Sequence, residues 1–309
     1  MKELFHRLGL RVLERGWLSS NNILFPATKS CSSALVDTGY DTHAAQTVGW
    51  VAGQLGAEPL ARILNTHLHS DHCGGNAALQ DRWPSETWVP APSFQAVSEW
   101  REEELTYRST SQRCRPFRAD HALHGDDRVR LGRSVWEVYP APGHDPRAVM
   151  FFQPDERVLI SADALWQGRL AILFPELVGE PGLEPASRVL DLIERLAPAC
   201  VIPGHGSPFV EVQAAIEASR RRLDQFAKDP QRHTDYAMRA LLMFHMLEHR
   251  VREEPALVSW LAEAPFFQEV HDHCPDEAGL RMRAQEVVNR LVEGKTLSRE
   301  GELIFVPDV

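Results

Sequence analysis

The chain predicts an α/β fold, and three observations carry that expectation. Short apolar runs of strand type alternate with segments of helical period. Several of those runs end in turns that hold a histidine or an aspartate, the usual way a rigid scaffold presents functional groups. With 309 residues the chain can bury a large core, enough for one large domain and an appendage.

Residues 21–26 and 33–37 read as strands, and 42–55 has helical period with apolar positions at Ala45, Val48, Val51 and Leu55. The apolar run 60–64 reads as a strand and leads into Asn65-Thr66-His67-Leu68-His69-Ser70-Asp71-His72-Cys73-Gly74-Gly75. Gly74 and Gly75 let the backbone close up before a helix with Asn76 as its expected N-cap. Strands are expected at 128–131, 135–139, 148–152 and 157–161, then a helix at 184–196, a strand at 200–203 and a helix at 209–227. Asp229-Pro230 marks a break, which divides the chain into residues 1–227 and a mainly helical region, 228–309. That second region reads as helices at 236–251, 256–262 and 277–291, stopped by Gly294, and a hairpin at 297–306 turning through Gly301.

The densest chemical signal is His67 to His72, three imidazoles and a carboxylate in six positions. Neutral imidazole and carboxylate suit zinc and similar metals. His67 and His69 project the same way from an extended backbone, and the following turn can fold Asp71 and His72 back beside them. Downstream, His144, Asp163 and His205 each follow a strand-like run. Taken singly, each reads equally well as a capped turn or a satisfied histidine; taken with the first cluster they are far more specific.

The run Thr66-His67-Leu68-His69-Ser70-Asp71-His72, with Asp37 in Leu35-Val36-Asp37-Thr38-Gly39 and with His144, Asp163 and His205, resembles the metallo-β-lactamase superfamily over roughly residues 20–220. The resemblance implies a four-layer αββα sandwich as the fold. It implies that His67, His69 and His144 hold one metal and Asp71, His72 and His205 a second, with Asp163 bridging and Asp37 orienting a ligand. It also implies two divalent ions, zinc first, with iron or manganese as alternatives. Asp163 stands where the lactamases carry cysteine or serine, and His69 where flavodiiron proteins carry glutamate. The ligand set resembles that of hydroxyacylglutathione hydrolases, lactonases and the ribonuclease branch. The expected activity is a dinuclear hydrolase acting on a small ester, thioester or lactone, with Asp71 and Asp163 in the catalytic group. The alternatives are a metal-dependent ribonuclease or phosphodiesterase, and a mononuclear iron sulfur dioxygenase.

Composition narrows the partners. Forty-three acidic against 33 basic residues give a net charge of −10, which disfavours nonspecific nucleic-acid binding. Five scattered cysteines without framework spacing, and neither a leader pattern nor a membrane span, point to a reduced compartment and a cytoplasmic enzyme with a small acyl substrate. Tyr40, Tyr107, Arg113, Arg115 and Trp166 are candidates for the substrate pocket, the arginines because guanidinium grips carboxylate or phosphate. Residues 228–309 resemble a winged-helix-like appendage and are expected to serve as a lid or homodimer contact. His245-Met246-Leu247-Glu248-His249 has metalloprotease spacing but reads as an amphipathic helix. His271-Asp272-His273-Cys274 reads as a solvated turn.

Overall fold

The computed structural model describes residues 1–271 and 276–307, so Asp272, His273 and Cys274 of the second ligand-rich run lie outside the described residues. Two sheets stack face to face. The first has six strands in the order β1 (Arg11–Leu13), β2 (Asn22–Phe25), β3 (Ala34–Val36), β4 (Arg62–Leu64), β5 (Glu86–Pro90) and β6 (His121–Leu123). The second runs β11 (Cys200–Pro203), β10 (Val158–Ala162), β9 (Val149–Gln153), β8 (Ser134–Pro140) and β7 (Arg128–Leu131).

Side-chain alternation along the strands explains the layering. Ile23, Phe25, Val36 and Leu64 of the first sheet join Trp136, Val138, Phe151 and Ile160 of the second in one buried core. The intervening positions Leu24, Leu35 and Ile63 face outward onto Val51 and Leu55 of the helix Ala44–Leu55. On the other side Met150, Phe152, Leu159 and Val201 pack on the helices Leu183–Leu196 and Val212–Lys228. The result is the four-layer αββα arrangement. Among the described residues no helix is long and apolar enough to cross a membrane.

Strand direction places the functional loops. β3, β4 and β5 are mutually parallel. β8 and β10 both run antiparallel to β9, and β11 is parallel to β10. The loops after β3, β4, β8, β10 and β11 carry Asp37, the His67–His72 cluster, His144, Asp163 and His205 respectively. Carboxyl ends of parallel strands are where open α/β sheets place their ligands.

Several boundaries differ from expectation. β1, β5 and β6 were not foreseen, nor was the helix Lys2–Leu8. The helix after the first cluster is Asn76–Arg82 and its N-cap is Gly75, because the Asn76 side chain bonds Asn65 and Thr38 inside the loop instead. The helix expected from 209 begins at Val212, since Phe209 makes an isolated bridge with Val201. Pro230 does not break the chain into a loop; it opens the helix Pro230–His249, where its missing N–H costs nothing. Beyond it come β12 (Val251–Glu253) and the helices Glu254–Glu263, Pro265–Val270 and Glu277–Glu293, which with Pro230–His249 make four helices among the described residues of this region where three were expected. The hairpin of β13 (Ser298–Glu300) and β14 (Leu303–Phe305) is joined by β12 into a small sheet. These elements bury a core of their own, including Leu242, Leu257, Leu261, Phe267 and Val288, which Ile172, Phe174 and Leu177 of the sandwich join.

Candidate metal centre

The loop after β4 is extended to His69 and then turns once as the short helix Ser70–Cys73. Extension puts His67 and His69 on one side, and the single turn brings Asp71 and His72 round to join them. The loop is held from beneath. Thr38 N–H and Asn65 Nδ2 donate to the His72 carbonyl, at 2.8 and 3.2 Å. Gly74 packs so closely that a Cβ there would collide with the Asp41 backbone nitrogen.

Seven side chains converge as the motif implied. Ligand-type atoms of His67, His69 and His144 lie within 4.8 Å of one another; so do those of His67, His72 and Asp163, and those of Asp71, His72 and His205. Asp163 stands between the outer trios: Oδ1 is 3.4 Å from His72 Nε2 and Oδ2 is 3.3 Å from His144 Nε2. Asp71 Oδ2 lies 3.0 Å from His205 Nε2. The strand β10 delivers Asp163 through a register irregularity between Ile160 and Ala162, and Ala162 takes φ 45°. A bulge of this sort re-aims the next side chain. Gly204 is needed opposite it, because a Cβ there would collide with Asp163 Oδ1.

Further contacts fix ring orientation. His72 Nδ1 pairs with Asp37 Oδ2 at 2.8 Å, and Asp37 also accepts from the backbone N–H and hydroxyl of Thr66. His144 Nδ1 lies 2.5 Å from the Ile172 carbonyl, which can only accept, so that nitrogen carries the proton and Nε2 faces the cluster. His69 Nε2 has Asp145 Oδ2 at 3.7 Å. Trp166 Nε1–H donates to Asp163 Oδ1 at 3.2 Å.

The electrostatics are those of a site built around positive charge. Burial and its imidazole neighbours hold His67 well below the ordinary histidine range. Burial likewise pushes His69 and His144 down to about 4. Burial opposes charge on His72 as well, but Asp163, Asp37 and Asp71 outweigh it and lift His72 above its usual value. Burial would raise Asp163, yet His72 and His205 keep it well below the carboxylate range.

The donor set fits a divalent metal. His67 Nε2 and His72 Nε2 are buried with no hydrogen-bond partner, and so is His205 Nδ1. Each such orphan costs about 1–3 kcal/mol unless something binds it. Imidazole nitrogens and carboxylates are donors that suit zinc, iron or manganese.

The pocket candidates divide. Trp166 packs against His205 with ring centroids 5.3 Å apart and reaches Asp163, so it forms part of the wall. Tyr40 is buried, and its hydroxyl bonds Glu248 of the helix Pro230–His249 at 3.0 Å. Arg113 pairs with the same Glu248, so both residues tie the sandwich to the C-terminal region rather than face the cluster. Tyr107 is a core residue whose hydroxyl sits 3.1 Å from Cys73 Sγ, and Arg115 is drawn to Asp81 by an ion pair. In His245–His249, the protease-like spacing is occupied otherwise: His245 stacks on Trp260 at 3.6 Å and Glu248 is the tie just described. Trp17 was missed. Its ring stacks on His205 at 5.3 Å with planes 9° apart, meets Trp166 edge-on, and is 41% exposed. A lone tryptophan between two strands carries no local signal for that position.

The family described as the metallo-beta-lactamase superfamily matches residues 21–205, which spans the whole cluster. The probable metallo-hydrolase YqgX of Bacillus subtilis is 31% identical over 121 residues, 37% of this chain and 53% of that one. The acyl-coenzyme A thioesterase MBLAC2 of Homo sapiens is 26% identical over 155 residues, 47% of this chain and 55% of its own. The chain thus spans about half the length of these curated relatives. The metallo-beta-lactamase family protein TTHA1429 of Thermus thermophilus shares the fold, with TM-score 0.58, 19% identity, and coverage of 97% of this chain and 99% of that one. With seven ligand-type residues on strand-end loops and a family match across more than half its length, the chain belongs to the metallo-beta-lactamase superfamily.

Proposed function

We propose that the protein is a dinuclear metal-dependent hydrolase of a small ester, thioester or lactone, with thioesters the first class to test. The single observation that carries this is the position of Asp163, one carboxylate oxygen toward His72 and the other toward His144. His67, His69 and His144 would hold one ion, Asp71, His72 and His205 the other, and Asp163 would serve both. When bound there, two divalent ions would supply a hydroxide nucleophile near neutral pH and would stabilise negative charge on the substrate oxygen.

The chain's own residues do the rest. Asp37 and the Ile172 carbonyl keep His72 and His144 turned toward the centre, which matters because such orienting contacts govern metal affinity by about 10–100-fold. Trp166 holds Asp163 by its indole N–H and, with Trp17, shields the His205 side of the centre from water. Asp71 Oδ2, 3.0 Å from His205 Nε2, keeps these two side chains together on one side of the centre. The names of relatives support the thioester class, since one of them is a thioesterase. The separate core of the C-terminal elements supports treating 1–227 and 228–309 as two domains.

The test is elemental analysis joined to a substrate panel. Protein carrying two ions per chain should hydrolyse short acyl thioesters, esters or lactones, lose turnover with a chelator and regain it with zinc. No cleavage across that panel by metal-replete protein would sink the proposal. One iron per chain with oxygen uptake on a persulfide would replace it with the dioxygenase reading.

A further inference from the structure

A cavity of about 200 Å³ opens close to the centre, between Gly168 and Arg169 of the loop after Asp163 and the residues Ala218, Arg221, Arg222 and Gln225 of the helix Val212–Lys228. Three of its lining residues are arginines. Arg169 Cζ lies 4.8 Å from the centroid of Trp17, and that indole is the one stacked on His205. One aromatic side chain therefore separates the cavity from a candidate ligand.

Arg11, Arg15 and Arg62 also bond neutral groups and no carboxylate, so what sets the cavity's arginines apart is that three of them gather around one concavity. Arg220, next on the same helix, is matched by both Asp191 and Glu194. Arg7, Arg118 and Arg128 each meet a carboxylate within 3 Å. Among the described residues Arg169 and Arg222 pair with no carboxylate; their contacts are the rings of Trp17 and Phe226. Arg221 reaches only Glu217, at 3.9 Å. In a chain with 43 acidic and 33 basic residues, carboxylates to neutralise three clustered arginines are plentiful. Leaving two of the three without a carboxylate around one concavity costs mutual repulsion, which a bound anion would reverse. Guanidinium meets phosphate oxygens in paired hydrogen bonds, and several forks around one cavity suit an oxygen-rich dianion better than a single carboxylate.

We propose that this cavity is an anion subsite for a phosphate or diphosphate group carried by the substrate on an arm remote from the reacting acyl bond. The inference rests on the hydrolase reading above and narrows its substrate to phosphorylated thioesters or esters. Trp17, 41% exposed, lies between the two sites, where the arm would pass over its solvent-facing part. The bound phosphate is a handle and not the reacting group, because Trp17 stands between Arg169 and His205.

Two measurements test it. Inorganic pyrophosphate is titrated into the metal-free full-length protein at low ionic strength and followed by calorimetry. Saturable binding is expected, weakened at least 10-fold in Arg169→Ala/Arg222→Ala. Arg188→Ala/Arg195→Ala removes the same two charges from the helix Leu183–Leu196 and should bind as the parent does. Metal-replete protein is then given one acyl group as its coenzyme A thioester, as the phosphate-free N-acetylcysteamine thioester, and as the glutathione thioester. The ratio of kcat/KM for the first substrate over the second should fall at least 10-fold in the double variant. Absence of saturable pyrophosphate binding, binding indifferent to the double substitution, or a preference for the carboxylate-bearing glutathione thioester would overturn the subsite. Cleavage of a phosphodiester in place of all three thioesters would overturn it too, by making phosphate the reacting group. Arginine-dependent pyrophosphate binding with no turnover of any ester or thioester, and none of phosphodiesters, would sink the hydrolase reading and leave the subsite standing.

Discussion

The rim of the sandwich and the C-terminal helices solve opposite problems. At the rim, buried imidazoles and carboxylates crowd together, several nitrogens lack any partner, and the loop is pinned by buried polar contacts such as Asn65 to Asn76 and Thr66 to Asp37. The C-terminal elements bury Leu242, Leu257, Leu261 and Phe267 in an apolar core that Ile172, Phe174 and Leu177 of the sandwich join, and polar ties add to that seam. Those ties include Glu248 with Tyr40 and Arg113, His233 Nε2 with the Leu173 N–H, the Tyr236 hydroxyl with the Leu170 carbonyl, and the Ser109 carbonyl with the Phe266 N–H. Apolar packing lowers the energy of the apo protein outright, whereas the rim is costly until it holds a cation. Stability and chemistry are therefore held in different parts of one chain.

Substitutions can break that comparison, starting with the largest effect. Asp163→Asn removes a carboxylate shared by both outer trios; turnover should fall by roughly 10³-fold, about 4 kcal/mol. Metal stoichiometry should drop with it, while urea unfolding of the apo protein shows no loss of stability; a clear loss there would mean Asp163 holds the fold. Phe267→Ala empties a fully buried ring position and should cost about 3–5 kcal/mol in the same unfolding assay. Metal content at 25 °C should stay that of the parent, and a fall in stoichiometry would show that the two regions are not separable. Glu248→Ala sharpens the comparison at its seam. It strips the buried Tyr40 hydroxyl of its carboxylate and frees Arg113, for about 1–2 kcal/mol. Limited proteolysis should then cut within residues 228–309 sooner than within the sandwich.

Legibility followed the same division. Strands with several consecutive apolar residues, such as Val149–Gln153 and Val158–Ala162, were evident because both faces are buried. β1 and β6 are three residues long, and β1 is partly exposed, so neither shows a usable period. The ligand set was readable because metal chemistry restricts residue types within a few positions. The pocket was not. Arg113, Arg115 and Tyr107 looked like substrate contacts, but their roles depend on Glu248, Asp81 and Cys73, partners distant in sequence. Trp17 reaches His205 across the fold, and Arg221 and Arg222 share a concavity with Gly168 and Arg169, more than fifty residues earlier in the chain.

Every trio at the rim takes two members from the His67–His72 loop and one from the second sheet: His144, Asp163 or His205. During synthesis from the amino terminus the centre therefore completes in stages. The first trio can close only after residue 144 has left the ribosome, the second after 163 and the third after 205. A chain stopped before Cys200–Pro203 lacks both the edge strand β11 and the last histidine. Completion of the three trios thus marks that both sheets have been made, and a product truncated before residue 205 would lack the third trio.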